Sequence, residues 1–166
     1  MTTSVASFVA QLPEPWASLL RAGRPIKTLT LTQPRASLVA LDAKRVETRS
    51  WSTPYRGPLA IHAAKGWTLA DRQTVYEDAF WSVLQDLPEL PLGKVIALTF
   101  LEDCRPIDMA LRAHISAYGQ VHELTFGDYR TGRYAWMLRN TIALPQPVPA
   151  KGALGLWDWT PEVAAA

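Results

Sequence analysis

The sequence has 166 residues, 48% of them hydrophobic and 19% charged, and its formal net charge is +2. This composition excludes an intrinsically disordered chain, and the single cysteine, Cys104, excludes an intramolecular disulfide. No apolar stretch is long enough to span a membrane and no signal peptide is recognisable, so we predict a soluble, cytoplasmic protein without a membrane partner.

The pattern predicts one folded domain with short additions at both ends. Residues 1–25 contain several prolines and are predicted to form an N-terminal extension with one or two helical turns near Trp16 to Arg21. The domain spans residues 26–160, and a short tail follows at 161–166. A domain of this size can bury a sizeable core without disulfides, and we assume a monomer.

Strands and short helices alternate irregularly along this domain. Strands are predicted where polar and apolar residues alternate or where short apolar runs occur, over residues 26–31, 45–51, 59–64, 95–101, 134–144 and 153–159. Three helices are predicted: one after Pro34, one over residues 68–84 and one over residues 107–118. Leu41 is expected on the buried face of the first helix and Tyr76 on the buried face of the second. Because no regular strand–helix–strand repeat occurs, the pattern predicts a mixed α+β barrel.

The strand predicted over residues 45–51 has an unusual second face. Alternation places Val46, Thr48 and Ser50 on one face and Arg45, Glu47, Arg49 and Trp51 on the other. Two guanidiniums, a carboxylate and an indole suit a cleft that receives an anion, where Trp51 offers a stacking surface and Glu47 orients the ligand or accepts a proton. The alternative is a solvated strand face with a Glu–Arg pair.

Positive charge is concentrated around this strand. Residues 24–66 contain eight basic and two acidic side chains, a net charge of +6, whereas residues 67–166 contain eight basic and twelve acidic side chains, a net charge of −4. A local excess of positive charge attracts polyanions even when the whole protein is nearly neutral. We therefore predict a polyanionic partner, and the resemblance described next implies that this partner is RNA or a nucleotide-like small molecule.

Three segments carry a resemblance to a known family: LTLTQPRA at 29–36, AKRVETRSW at 43–51 and YRGPLAIHAAK at 55–65. They are similar to the ASCH domain of the PUA-like superfamily, and weaker matches extend the similarity over about residues 26–159. The resemblance implies an α+β fold, a PUA-like mixed β-barrel of about five to six strands with short flanking helices. It also implies a ligand- or RNA-binding cleft, whose residues in this sequence are Gln33, Arg49, Trp51, Tyr55, Arg56, Lys65 and Trp136.

The same resemblance implies candidate catalytic residues. Some ASCH-like amidohydrolases remove the acetyl group from acetylated cytidine with a Lys-x-x-Thr pair and a glutamate. Lys44 matches that lysine and Glu123 lies in a segment similar to the one with the glutamate, but Glu47 replaces the threonine. A carboxylate beside Lys44 favours the ammonium form, so the alternative is that Glu47 acts as the general base and Lys44 stabilises the oxyanion.

The other functions left open are a single-stranded RNA ribonuclease and a non-enzymatic interaction module for an acidic partner. The sequence contains no P-loop, dinucleotide-binding glycine motif, nucleophile elbow or zinc-spaced cysteine and histidine pairs, so we predict no cofactor and no metal. The alternative is a metal site formed by His114, His122 and Glu123. His62 is predicted either to face the cleft or to be a core histidine. Neither Lys44 nor Glu47 falls on a predicted core position, so substitutions there are expected to change stability by about 0.5 kcal/mol or less.

Overall fold

A single mixed sheet forms the centre of the protein, described here from a computed structural model over residues 5–162. Within that range it has six strands: β1 Ile26–Leu31, β2 Val46–Arg49, β3 Gly57–Ala63, β4 Lys94–Pro106, β5 Tyr134–Pro149 and β6 Leu156–Trp159. Their order is β2-β5-β4-β3-β1-β6, and every neighbouring pair is antiparallel except β1 with β3. The predicted α+β class and strand number are confirmed. The sheet is open between β2 and β6 rather than closed by hydrogen bonds.

Five short α-helices occur in the described part of the chain: α1 Trp16–Arg21, α2 Arg35–Ala40, α3 Leu69–Thr74, α4 Asp78–Leu84 and α5 Met109–Tyr118. The single helix predicted over residues 68–84 was wrong, because α3 and α4 are separate. Between them Tyr76 is 74% exposed, and only α4 buries apolar residues, Phe80 and Leu84. Leu41 is also exposed, because α2 ends at Ala40 and the positive φ of Asp42 turns the chain there.

The longest strands, β4 and β5, extend well beyond the predicted segments. They pair from Lys94 opposite Pro149 to Pro106 opposite Tyr134, with three register irregularities along the way. The added part of β4 contains Glu102, Asp103 and Arg105, and the added part of β5 contains a proline at every second position from Pro145 to Pro149. Neither part has the alternation of polar and apolar residues on which the prediction depended. In contrast, β2 is shorter than predicted and is buried on both faces except at Arg49.

Both faces of the sheet are covered by apolar side chains. The segment predicted as an N-terminal extension packs on one face, where Val5, Phe8, Trp16 and Leu20 are buried together with β-strand residues. The other face is covered by α2 and contains Trp136, which is completely buried. Within residues 5–162, no helix is long and apolar enough to cross a membrane.

Candidate functional site

Strand β2 is held at its beginning by a buried carboxylate, that of Glu123. One oxygen, Oε2, accepts a hydrogen bond from the Arg45 backbone N–H at 2.8 Å, and Oε1 accepts one from Val46 at 3.0 Å. The Tyr129 hydroxyl donates to Oε1 at 3.3 Å, and burial together with the negative charge of Glu123 raises the pKa of Tyr129. These contacts give Glu123 a structural function, and its predicted catalytic role stays a prediction.

Lys44, Glu47 and Arg49 form a continuous row of charges along β2. The Lys44 ammonium lies 3.1 Å from Glu47 Oε2, and Glu47 Oε1 lies 3.8 Å from Arg49 Nη1. Lys44 also donates to the Val46 carbonyl oxygen and is completely buried, and the whole Glu47 residue is only 5% exposed. The expectation that both occupy surface-like positions is therefore wrong. The ammonium does not face a cleft, and the carboxylate lies between it and Arg49.

A cleft of about 530 Å³ lies between the edge strand β2 and the end of β1. Its lining comes from β2 on one side and from the end of β1 and the β5–β6 loop on the other, which shows that the open sheet curls like a barrel. We call it the arginine cleft, after Arg35, Arg49 and Arg133, which line it together with Glu47 and Asp128. Its position is typical of a ligand site, concave and formed by several elements.

The three arginines of this cleft differ in their partners. Arg133 lies 3.4 Å from Asp128 and donates to the Thr48 carbonyl oxygen, and Arg35 lies 3.5 Å from Asp71. A side-chain hydrogen bond from Arg130 lowers the pKa of Asp128 to about 2, so this carboxylate stays ionised beside Arg133. Arg49 makes no side-chain hydrogen bond to any described residue, and it is partly exposed.

The two tryptophans predicted as stacking surfaces pack on each other instead. Trp136 donates its indole N–H to the Trp51 carbonyl oxygen at 3.2 Å, and the two rings meet edge to face at 4.7 Å. Trp136 is completely buried and has no exposed ring face, whereas Trp51 is half-buried. The Arg49 guanidinium lies 5.8 Å from the Trp51 ring, so Trp51 supports Arg49 without lining the cleft.

Gln33, Tyr55 and Arg56 stabilise the chain around them. The completely buried Gln33 amide donates to the Pro91 carbonyl oxygen at 2.8 Å and accepts from the Ser37 N–H. The Tyr55 hydroxyl donates to the Pro58 carbonyl oxygen, and Arg56 lies 3.0 Å from Asp103. These three predicted ligand residues do not line the arginine cleft, and their binding roles stay predictions.

A second and larger cavity, of about 1040 Å³, adjoins the arginine cleft. We call it the lysine cavity, after Lys65, Lys94 and Lys151, which line it together with His62. Of these lysines, only Lys65 was predicted as a ligand residue. A sequence signal for the other two exists, because each of the three lysines is adjacent to a glycine.

His62 is part of a hydrogen-bonded chain at the wall of this cavity. The Trp157 indole N–H donates to Thr30 Oγ1 at 3.0 Å, and that hydroxyl lies 3.2 Å from His62 Nδ1. On the other side, His62 Nε2 lies 3.0 Å from the Ala150 carbonyl oxygen. A carbonyl oxygen only accepts, so Nε2 carries a proton, and in the neutral imidazole Nδ1 accepts from the Thr30 hydroxyl. Burial lowers the pKa of His62 below its ordinary value.

Stability should therefore depend on pH through His62. The unfolded chain protonates His62 as the pH falls through 6.5, whereas the folded protein resists protonation until a lower pH. The free energy of unfolding should be highest above this value and fall by up to about 1.4 kcal/mol per pH unit below it. Urea unfolding between about pH 7.5 and 5.5 measures this effect. His62→Asn should flatten the profile and His114→Asn should not; equal slopes in all three proteins would contradict the prediction.

Among residues 5–162, no group of three histidine, cysteine, aspartate or glutamate side chains is arranged to hold a metal ion.

Comparison with known proteins gives a family match over most of the chain. The model of the ASCH domain family matches residues 29–147. Among solved structures, the chain is similar to ASCH from Zymomonas mobilis, with 20% identity over 74% of this chain and 72% of that chain and a TM-score of 0.46. A tyrosine-to-phenylalanine variant of the Zymomonas mobilis protein gives 18% identity over 74% of both chains and a TM-score of 0.46. No curated protein matches the sequence.

Proposed function

Because the chain belongs to the ASCH domain family, whose members generally bind RNA, we propose that its arginine cleft binds RNA through a nucleotide-sized part of the strand. A volume of about 530 Å³ is within the range of small-molecule sites, roughly 300–1,000 Å³. Guanidiniums are suited to phosphate because their donors form a planar fork that matches two phosphate oxygens. The family match supports RNA as the ligand, and the three arginines support this cleft as the site.

The proposal depends mainly on the exposure and the unused hydrogen-bond donors of Arg49. Its guanidinium is partly exposed at the cleft, lies 3.8 Å from Glu47 Oε1 and makes no hydrogen bond to the described residues. All its donors are therefore free for a ligand, while the contact with Trp51 limits the conformations of the side chain. A pre-positioned cation with unused donors loses little entropy when it binds phosphate.

Replacing Arg49 should weaken RNA binding. Arg49→Gln keeps a polar side chain and removes the charge, so the log–log dependence of affinity on salt should become less steep by about 0.7. Fluorescence anisotropy of a labelled single-stranded oligouridine at several salt concentrations measures both affinity and slope. The matched control is Arg139→Gln, because Arg139 pairs with Glu102 outside the cleft. Equal losses in both variants would show that the cleft is not the binding surface.

A second candidate function, hydrolysis of acetylated cytidine, is favoured by the state of Glu47. Its Oε2 atom is buried and has no hydrogen bond in the described structure, although the Lys44 ammonium lies 3.1 Å away. Glu47 lines the cleft, whereas Lys44 is completely buried. Glu47 is therefore the group that can take a proton from a water molecule as it attacks the acetyl carbon. The proton then passes to the leaving amine as the carbon–nitrogen bond breaks.

This candidate predicts a separation of binding from turnover in Glu47→Gln. Removing the carboxylate removes a charge that repels a polyanion, so affinity for RNA should stay the same or increase. Turnover of acetylated cytidine should fall by about 100-fold or more if Glu47 is the general base. The rate is measured as cytidine release, which is monitored by chromatography. The thermal stability of the variant is checked in parallel. Absence of turnover by the unmodified protein would reject the candidate, and cutting of the labelled RNA would identify a ribonuclease instead.

A further inference from the structure

The lysine cavity contains an uncompensated group of positive charges. Three of the five lysines in the sequence line it, and its described lining includes no carboxylate. Within residues 5–162, the ammonium groups of Lys65, Lys94 and Lys151 have no hydrogen-bond or ion-pair partner. The remaining two lysines are different, because Lys44 is buried beside Glu47 and Lys27 lies 3.0 Å from Asp158.

The unpaired state of these lysines contrasts with that of three arginines in residues 24–66. Arg35, Arg49 and Arg56 lie 3.0 to 3.8 Å from a carboxylate, as the distances to Asp71, Glu47 and Asp103 show. Each such carboxylate cancels much of the local positive potential. The three unpaired lysines therefore attract an anion more strongly than the number of basic residues along the sequence indicates.

The rest of the lining suits a nucleotide chain. Between the lysines, the lining includes apolar groups from Leu92, Pro149 and Leu154. Leu154 is 98% exposed at the rim, where an aliphatic side chain can cover the face of a base or sugar. Lysines on flexible stems contact phosphates as point charges, without reading the base.

The cavity is continuous with the arginine cleft. Thr30, Ala153 and Leu154 line both, so the two concave sites meet at the end of β1 and at the β5–β6 loop. The shared loop is packed closely, since a side chain on Gly152 would lie only 2.6 Å from His62 Cε1. Each cavity is large enough for about one nucleotide, given roughly 300–1,000 Å³ for small-molecule sites.

We propose that the lysine cavity is a second phosphate-binding subsite, which holds the part of a single-stranded RNA adjacent to the nucleotide in the arginine cleft. This inference rests on the proposed function and extends it from one nucleotide to a strand. Single strands fit because two adjoining concave sites can separate successive nucleotides, whereas a stiff duplex cannot enter them. The lysines contact phosphates, so the subsite should bind without base preference.

The test compares oligouridines of different length on two variants. The first, Lys65→Gln/Lys94→Gln/Lys151→Gln, removes the three charges, and the second is Arg49→Gln. The lysine variant should bind uridine monophosphate as the unmodified protein does. With an oligouridine of about eight nucleotides it should lose roughly tenfold or more in affinity at low salt, and the salt slope should fall by about 2, which is 0.7 for each lysine.

Controls separate the lysine cavity from general electrostatics and from misfolding. Lys27→Gln removes a lysine that is paired with Asp158 outside the cavity, so it should leave the length dependence unchanged. Lys65 and Lys151 are exposed and Lys94 is partly exposed, so the triple variant should unfold at nearly the temperature of the unmodified protein.

The outcomes distinguish the inference from the proposed function. If Arg49→Gln weakens binding at every length and the lysine variant weakens it at none, the lysine subsite is overturned and the proposed function stands. If only the lysine variant weakens binding, the arginine cleft is not an RNA site and the proposed function is overturned. The inference that one RNA strand spans both cavities is then overturned as well. If poly-glutamate competes as well as RNA and depends on the same lysines, the subsite receives an acidic protein, and the RNA assignment is overturned.

Discussion

Lys44→Met should lower the free energy of unfolding by about 3–5 kcal/mol, because it leaves the Glu47 carboxylate buried without its partner. The ammonium is completely buried, lies 3.1 Å from Glu47 Oε2 and donates to the Val46 carbonyl oxygen. Methionine has a similar length and fills the space without supplying a donor. Urea unfolding followed by tryptophan fluorescence measures the loss.

A second variant shows whether the unpaired charge is the cause. Lys44→Met/Glu47→Leu removes both charges, and it should recover part of the stability lost in the single variant, since a buried ion pair is often replaceable by apolar residues. Lys27→Met is the matched surface control, because it disrupts the exposed pair with Asp158 and should change stability by about 0.5 kcal/mol or less. A loss below about 1 kcal/mol in Lys44→Met would mean that water reaches Glu47.

The burial of Lys44 affects how tests of catalysis are interpreted. An inactive Lys44 variant would be evidence for a nucleophilic lysine only if the protein were still folded. Because the ammonium is buried and bound to Val46 and Glu47, we expect unfolding to explain most of any loss. Glu47→Gln needs the same check of folding, because it leaves the completely buried Lys44 ammonium without its carboxylate. It is nevertheless the better placed test, since the Glu47 side chain lines the cleft and glutamine preserves its size.

Glu123→Gln should lower the free energy of unfolding by about 3 kcal/mol, because both carboxylate oxygens accept hydrogen bonds at the start of β2. Its two oxygens accept hydrogen bonds from the Arg45 and Val46 backbone N–H groups, at 2.8 and 3.0 Å. Glutamine has only one acceptor oxygen, so its amide group must face one of these N–H donors. Each hydrogen bond to a charged acceptor contributes about 1.5–3 kcal/mol, and a buried unsatisfied donor adds a further cost.

Hydrogen exchange locates this effect within the molecule. The amides of Arg45 and Val46 should exchange faster in Glu123→Gln, while those of the central strand β4 should change only as much as the global stability does. The control is Glu102→Gln, because Glu102 is exposed and forms a surface pair with Arg139. Unchanged protection of Arg45 and Val46 would contradict an anchoring role. RNA affinity should also decrease in Glu123→Gln, since a loosened β2 no longer positions Arg49.

Electrostatic pairing decides which basic residues carry an uncompensated charge. Arg56 is exposed and lies in the basic third of the sequence, but it is engaged with Asp103, which is far away along the chain. Lys94 and Lys151 lie in the acidic part of the sequence and have no partner within the described residues. Net charge counted along the sequence therefore does not show which cations are paired with carboxylates in the folded protein.

The sequence by itself determined those features that depend on local periodicity. Strand β1 and helix α1 occur as predicted, because alternation and apolar spacing act within a few residues. The helix predicted from residue 68 also begins there, because the side chains of Thr68 and Asp71 form a capping box within one turn of helix. The family and the α+β class followed from motifs that are continuous in the chain.

Only the tertiary structure decided the environment of each charged group. Glu123 binds backbone groups 77 and 78 positions away, and the lysine cavity brings together Lys65, Lys94 and Lys151 from three separate loops or strand ends. Such contacts depend on strand order and register, which no local pattern encodes. The burial of Lys44 is likewise decided by the tertiary structure, because desolvation is a property of the packed core and not of the residues next to it in sequence. The predicted catalytic role of Lys44 stays a prediction.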